Sequence, residues 1–371
     1  MKLQRSPLYQ ECLDAGARMV PFAGWEMPVQ FSSLIHEHQA VREKLGMFDI
    51  SHMGIIRIEG ANAKKSIQKL VPTDLERIGP GEACYSVLLN EKGGILDDLI
   101  IYDLGINSKN EDALLLVINA ACTKSDTSWI KKHLGDNELS ISTGIDNHVF
   151  LAIQGPQSIS LLESLSDEPL INLPSFSHKK IFLKGITANH SNSTFISRTG
   201  YTGEVGFELL LTTEAGRRLW LKLLIEGVTP CGLGCRDTLR LEAGFHLYGN
   251  EMDNDTTPFE AGLGWLVHLE MPNEFIGREA LEKQTQQGLK RRLVGLEIEG
   301  KAIARHNYAV FHEQEPIGKI TSGSWSPTLK KAIAMAYVPQ EVVSLGKKLH
   351  VEIRGRKHPA KLVKRPFYRL S

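Results

Sequence analysis

The chain has 371 residues, in which 43 Lys and Arg are matched by 43 Asp and Glu, so its formal charge is zero. With 42% hydrophobic and 23% charged residues, it excludes a disordered or collagen-like chain and a globally basic nucleic-acid binder. Its length predicts two or three domains, each able to bury a core. The neutral total covers a gradient. From Lys347 onward nine Lys and Arg face a single acid, Glu352, so this tail carries +8 and the rest of the chain −8. Five scattered cysteines, an odd number in a long chain, predict reduced thiols rather than a disulfide scaffold. Cys231 and Cys235 are four apart, but no second Cys or His pair nearby completes a zinc site. The longest apolar run, Ala113 to Ile118, is too short to span a bilayer, which takes about 20 residues. Arg5, Glu11 and Asp14 near the start speak against a signal or transit peptide. The expected location is the cytoplasm of a bacterium, or the mitochondrial matrix had a presequence been removed.

Taken in order, the elements alternate between short strands and helices. Ile55–Ile58 reads as a strand and Ala61–Leu70 as a helix. A hairpin follows, from Cys84–Leu89 through the turn Asn90-Glu91-Lys92-Gly93-Gly94 to Ile95–Leu104, with the paired glycines expected to supply positive φ. Ala113–Ile118 is a strand, and a helix opens at Thr123 with Asp126 at capping-box spacing. Strand Val149–Ile153 and helix Ser158–Leu165 begin a second unit. Thr194–Ser197 and Phe207–Leu211 then pair around a glycine-rich turn, ahead of an amphipathic helix at Thr213–Glu226. From about Arg291 short β runs predominate: Leu293–Ile298, Ala309–Phe311, Ile317–Thr321, Ala332–Tyr337 and Leu349–Ile353. They predict a small β-barrel or sandwich, joined to an α+β body by a linker at Gln284–Lys290.

Four stretches could carry chemistry. In Asp97-Asp98, strand alternation puts each carboxylate on an otherwise apolar face, Asp97 with Ile95 and Leu99, Asp98 with Leu96 and Ile100. Burying an unpaired carboxylate costs several kcal/mol. Each therefore has a partner or a ligand, or sits solvated at the hairpin mouth. Ser197 to Glu208 packs three glycines, an aromatic and two acids into a strand–turn–strand, either a ligand loop or an ordinary turn. Cys231 to Asp237 holds Gly-x-Gly without the third glycine of a dinucleotide fingerprint. Arg236 there opposes the helix dipole, so it either grips an anion or pairs with Asp237 or Glu242 on the surface. His36-Glu37-His38 reads as a solvated helix start rather than a metal site. Ser51-His52 shows no hydrolase triad logic.

Nine blocks, in order along the chain, resemble the T-protein family of the glycine cleavage system, the tetrahydrofolate-dependent aminomethyltransferases. They are Phe22–Pro28, Gly46–Gly54, Asn90–Leu99, Arg198–Glu208, Gly232–Asp237 continuing into Arg240–Ala243, Asn254–Gly264, Thr321–Gly323, Ser326–Leu329 and Lys364–Tyr368. The resemblance runs from about Leu8 to Tyr368. It implies an α+β, three-domain cloverleaf around a central folate cavity, with a C-terminal β-barrel. In its terms residues 1–275 form the folate-binding body, whose lobe at about 51–140 is ferredoxin-like, and residues 285–368 form the barrel. The implied reaction moves a one-carbon unit from the aminomethyl-lipoyl arm of H-protein to tetrahydrofolate. Methylenetetrahydrofolate, ammonia and dihydrolipoyl H-protein result, in one system with P- and L-proteins. No metal, nucleotide cofactor, nucleic acid or membrane is implied. Asp98 matches the catalytic carboxylate; Tyr85, Asn119, Tyr201, Glu208 and Arg236 match folate-contacting positions; Met53, Asp97 and Asp237 are supporting. Cys235 stands where the family commonly has alanine.

Two relatives of this family are weighed against it. A branch that assists iron–sulfur assembly carries a cysteine signature where this chain reads Phe275 to Leu281 without one. Demethylases that fuse this domain to a flavin enzyme need a Rossmann-like segment, which does not occur here. A folate-binding module without enzymatic output is the non-catalytic alternative. The basic tail beyond Lys347 is either a steering surface for an acidic carrier or folate tail, or a solvated basic strand edge.

Overall fold

The structure, a computed structural model, describes residues 2–134, 139–143, 148–187, 193–343 and 348–370. The tail reading begins at Lys347 and ends at Ser371, and these two residues lie outside that set. The chain forms two compact units, the first of residues 1–64, 76–84 and 100–237, the second of 65–75, 85–99 and 238–371. No helix among the described residues is long and apolar enough to cross a membrane. All five cysteines are free thiols.

The first unit is organised by a six-stranded sheet in the order His178–Ile181, Thr194–Ser197, Gly206–Thr212, His148–Gln154, Gly46–Asp49, Thr229–Pro230. His148–Gln154 is central and buried on both faces, so it reads as an unbroken apolar run rather than an alternating one. Helix Thr213–Ile225 backs the sheet: Leu219, Trp220 and Leu223 are fully buried with Val149, Leu151 and Phe207. The side chain of Thr212 caps that helix by accepting from the Ala215 amide. Near the N-terminus, Gln4–Arg5, Trp25–Gln30 and Arg18–Phe22 form a small sheet that no hydrophobic periodicity announces.

A five-stranded sheet runs Ala83–Leu89, Ile95–Ile106, Asp112–Ile118, Gly54–Gly60, Ser140–Thr143. In Ile95–Ile106 the predicted alternation holds: Ile95, Asp97 and Leu99 are buried, whereas Leu96, Asp98 and Ile100 are half-buried. Strand geometry thus gives the two neighbouring aspartates different environments.

The second unit contains a closed six-stranded barrel in the order Arg291–Ile298, Lys331–Pro339, Glu315–Ser326, Ala309–His312, Lys348–Ile353, Arg356–Val363. Ala332, Ala334 and Ala336 line its core with Leu296 and Val351. Ile333 and Met335, on the other face of the same strand, pack with Leu241 and Leu293. The barrel is closed by Arg356–Val363, which the sequence reading missed because only Ala360 and Leu362 of this basic segment turn inward. That strand is paired on both sides, so the basic tail is not a strand edge. Helix Arg278–Gln287 continues into the expected linker and leaves only residues 288–290 before the barrel.

The hairpin turn differs in one respect from expectation. Gly93 has a positive φ of 78°, but Gly94 does not. Gly94 is instead required by close approach, since a Cβ there would overlap the carbonyl oxygen of Asn254. Asn90 ties the same junction by donating from Nδ2 to Asn254 O at 2.9 Å, and its Oδ1 accepts from Lys92 N at 2.9 Å and Gly94 N at 3.0 Å. Gly94→Ala should therefore destabilise by about 1–3 kcal/mol through overpacking. The exposed control Lys92→Ala should stay within about 0.5 kcal/mol of the parent. Urea midpoints of the two variants test this, and equal midpoints would refute the close-approach argument.

Candidate functional site

The glycine-rich segment of the first unit owes its shape to one buried amide. Gln154, fully buried at the end of the central strand, donates from Nε2 to Thr199 O at 3.2 Å and Phe207 O at 3.4 Å. Its Oε1 accepts from Thr202 Oγ1 at 2.8 Å. Gly200 and Gly206 lie flat against this side chain, where any Cβ would overlap it. The glycine spacing is thus a packing requirement. Arg42 closes the far side of the turn, donating to Thr202 O at 2.7 Å and pairing with Glu204 at 3.0 Å.

Glu208 sits in strand Gly206–Thr212 with Ala152 and Ser197 as its neighbours across the sheet. Its carboxylate is buried and accepts from Thr199 Oγ1 at 2.6 Å. Thr199 is in turn bracketed by Ser197 Oγ at 2.7 Å and the Tyr102 hydroxyl at 3.2 Å. Burial pushes the Glu208 carboxyl above its ordinary value, while Thr199 and the charge of Arg236 pull it partway back.

Arg236 enters from the first turn of helix Leu233–Glu242, and its guanidinium lies over the Tyr201 ring, 4.7 Å from the centroid. Its Nη1 is buried without a hydrogen-bond partner. Burial lowers its affinity for the proton, and the charges of Glu208 and Tyr201 oppose that effect. Glu242, one of the two surface partners considered for Arg236, is buried and bonded to Ser326 and Thr328. Asp237 is exposed. His52 is 4% exposed, lies edge-on to Phe22 at 5.6 Å, and its Nδ1 is a further buried atom without a partner. Burial first, and then the positive charge of Arg236, push its pKa down to about 3. Sequence reasoning passed over His52 because it looked only for a nucleophile beside it.

Of the remaining predicted residues in this unit, Met53 is half-buried and donates its amide to Ile50 O at 3.0 Å. Asn119 precedes the 3-10 turn Ala120–Cys122, accepting from Cys122 N at 3.0 Å. The unit also has a surface cleft lined by Arg57, Glu59, Lys109, Glu111 and Lys180, which includes none of the predicted residues.

In the second unit the Tyr85 hydroxyl donates to Asp98 Oδ2 at 3.0 Å. Tyr85 also stacks on Trp265, with centroids 6.2 Å apart and planes 22° from parallel. Trp265 is 65% exposed, an unusual position for a tryptophan, and sequence reasoning missed it although it directly follows the block ending at Gly264. Asp97 is fully buried on the opposite face of its strand. The structure thus brings Tyr201, Glu208 and Arg236 together in one unit, and Tyr85 and Asp98 in the other.

His36-Glu37-His38 corrects the reading of a solvated helix start. Glu37 and His38 are fully buried. Glu37 accepts from the amides of Phe31 at 2.7 Å, Ser32 at 2.8 Å and Gly232 at 2.9 Å. It is a structural carboxylate that fixes the start of the segment carrying Arg236.

Chemically, buried Glu208 offers an acceptor and half-buried Arg236, near enough for their charges to act on each other, offers a donor. A carboxylate can take two adjacent N–H groups and a guanidinium one oxygen, the pattern of a planar amino-oxo heterocycle edge.

Comparison with known proteins agrees with this architecture. Residues 8–271 match the model of the GCVT N-terminal domain, and residues 291–369 match the glycine cleavage T-protein C-terminal barrel domain. An aminomethyltransferase of Prochlorococcus marinus (strain MIT 9313) is 62% identical over 369 residues, covering 100% of this chain and 99% of the relative. One of Parasynechococcus marenigrum (strain WH8102) is 61% identical over 371 residues, covering 100% of both. The crystal structure of glycine cleavage system aminomethyltransferase T from Bartonella henselae is similar with a TM-score of 0.89 at 35% identity, covering 99% of this chain and 98% of that one. A mixed α+β body that continues into a closed barrel of this kind defines the glycine cleavage T-protein family, and the chain belongs to it. Its activity is that of an aminomethyltransferase of the glycine cleavage system.

The raised Glu208 pKa has a measurable sign. Such a group destabilises the fold once pH exceeds its unfolded value of about 4.5, and the cost reaches its full size above the folded value. Glu208→Gln should therefore unfold at the same temperature as the parent or higher at pH 8, with the gap closing as pH falls toward that unfolded value. A glutamine variant less stable than the parent at pH 8 would show that Glu208 is a structural carboxylate.

Proposed function

We propose that this chain transfers the one-carbon unit carried as an aminomethyl group on the lipoyl arm of H-protein to tetrahydrofolate, working alongside P- and L-proteins. The carbon leaves sulfur and ammonia and gains bonds to two folate nitrogens. The two protons lost by those nitrogens leave with the ammonia and the freed thiol. The carbon keeps its oxidation level, so the reaction needs no oxidant or reductant. The observation that carries this reading is the group of buried Glu208 with half-buried Arg236 and Tyr201, in which Arg236 keeps one buried nitrogen without a partner. Glu208 takes the 2-amino and N3 hydrogens of the pterin, Arg236 donates to its oxo oxygen, and Tyr201 fixes the plane of the guanidinium. Asp98, oriented by the Tyr85 hydroxyl, is assigned the reacting nitrogen. There it draws on the N–H bond and raises the nucleophilicity of the nitrogen as ammonia departs. Asn119 is assigned to the folate, with Met53, Asp97 and Asp237 supporting.

The deciding experiment supplies aminomethyl-loaded H-protein and follows ammonia and methylenetetrahydrofolate. Ammonia release that does not depend on tetrahydrofolate would overturn the reading. Asp98→Asn should lower turnover by about a hundredfold or more, the scale of general acid–base assistance, with folate affinity largely retained. A greater loss from Asp97→Asn would reverse the assignment of the two faces. Arg236→Ala should raise the Kd for tetrahydrofolate by about tenfold or more, the worth of a charge-assisted hydrogen bond. An unchanged Kd would remove Arg236 from the site.

A further inference from the structure

Buried polar atoms without partners are few in folded proteins, and each one calls for a physical reason. Two of them belong together here. His52 Nδ1 and Arg236 Nη1 are both buried and unpartnered, and Arg236 is near enough for its charge to act on the imidazole. Nothing in the fold obliges a histidine at this turn. Its ring meets Phe22 through a face–edge contact that any flat apolar side chain would satisfy. A leucine or phenylalanine would fill the space without burying a polar atom. The ring is therefore unexplained by packing, whereas a ligand that brought its own polar atoms would explain both residues together.

We propose that His52 is a ligand-contacting residue which shares with Arg236 the oxo oxygen of the bound pterin. The assignment rests on the function proposed above and extends it to a residue outside the predicted site. The heterocycle edge offers two N–H donors and then one carbonyl oxygen. Glu208, held by Thr199, is an acceptor and takes the donors. The oxygen has two lone pairs, and Arg236 brings one buried nitrogen without a protein partner, Nη1, to occupy one of them. A neutral imidazole supplies an N–H without adding charge, so it completes the oxygen's coordination beside a guanidinium it would otherwise repel. Burial and the charge of Arg236 lower its proton affinity, which favours the neutral form.

The test has two parts. In the wild-type chain labelled with nitrogen-15 histidine, addition of tetrahydrofolate should shift the ring nitrogens of His52, which requires no variant to fold. In binding measurements, His52→Leu should raise the Kd for tetrahydrofolate by about tenfold. His52→Gln, which keeps an N–H, should restore most of that loss. Against a tetrahydropteridine that carries hydrogen in place of the oxo group, the leucine variant and the wild type should differ by less than about twofold, because no oxygen remains for the N–H to reach. A structural role would penalise both ligands alike. An unmoved His52 signal, an unchanged Kd, equal losses for both ligands, or no recovery with glutamine would each overturn the assignment. Failure of the wild-type chain to bind tetrahydrofolate would instead overturn the functional reading, and with it the ligand assigned to His52.

Discussion

The cost of taking charge out of water is the constraint on which this molecule turns. Glu208 is a carboxylate 5% exposed with a single hydroxyl donor, and Arg236 has a buried nitrogen with no partner. Neither is an economical way to fill space, since an isolated buried charge is worth several kcal/mol of instability. Much of the surrounding order serves to hold the two in place. Gln154 fixes the turn between the strands, glycines at 200 and 206 let the backbone lie against it, and Arg42 locks the outer loop. Thr199 and the Tyr201 ring replace part of the lost hydration, and in the function proposed above a complementary ligand supplies the rest.

The contrast with other buried carboxylates in the chain is instructive. Glu37 accepts three backbone amides, and Glu242 accepts from the Ser326 hydroxyl and from both the amide and hydroxyl of Thr328. Asp49 accepts from Ser6 and from the Ser51 amide. These acids are spent on the fold: their lone pairs go to donors that would otherwise be orphaned, so they behave as part of the backbone network. Glu208 has the same burial and far less satisfaction. Degree of satisfaction rather than degree of burial separates Glu208 from the acids that hold the fold together.

That distinction explains what could be read from the chain alone. Alternation along the strand correctly placed Asp97 and Asp98 on opposite faces, because side-chain direction in a strand follows from backbone geometry; that the faces differ in burial shows only in the structure. The helix Thr213–Ile225 and five of the six barrel strands were legible for the same reason: each buries a stripe whose period shows in the sequence. The small N-terminal sheet and the closing strand Arg356–Val363 were not, because too few of their residues face a core. Glu37 was misread because its donors come from residues five and six positions before it and from Gly232, almost two hundred positions away. Gly94 was misread because its neighbour is Asn254. His52 was set aside because no nucleophile logic surrounds it, and no sequence pattern encodes a buried ring nitrogen without a hydrogen-bond partner.

A one-carbon transfer makes two demands on carboxylates that conflict at any single position. Recognition of a heterocycle edge favours a desolvated anion with fixed geometry, since hydrogen bonds discriminate best where water cannot substitute for the ligand. Proton movement at a reacting nitrogen favours an acid whose two protonation states are close in free energy and which the reacting atom can reach. In the function proposed above these demands fall to different residues. Glu208 lies in an enclosed strand, its proton affinity raised by burial and held in part by Thr199. Asp98 lies on a half-buried strand face with a phenol hydroxyl on one of its oxygens. Asp97, one residue earlier, is wholly buried. The strand's alternation thus sets two adjacent aspartates in unlike environments, and the role proposed above in proton transfer falls to the half-buried one.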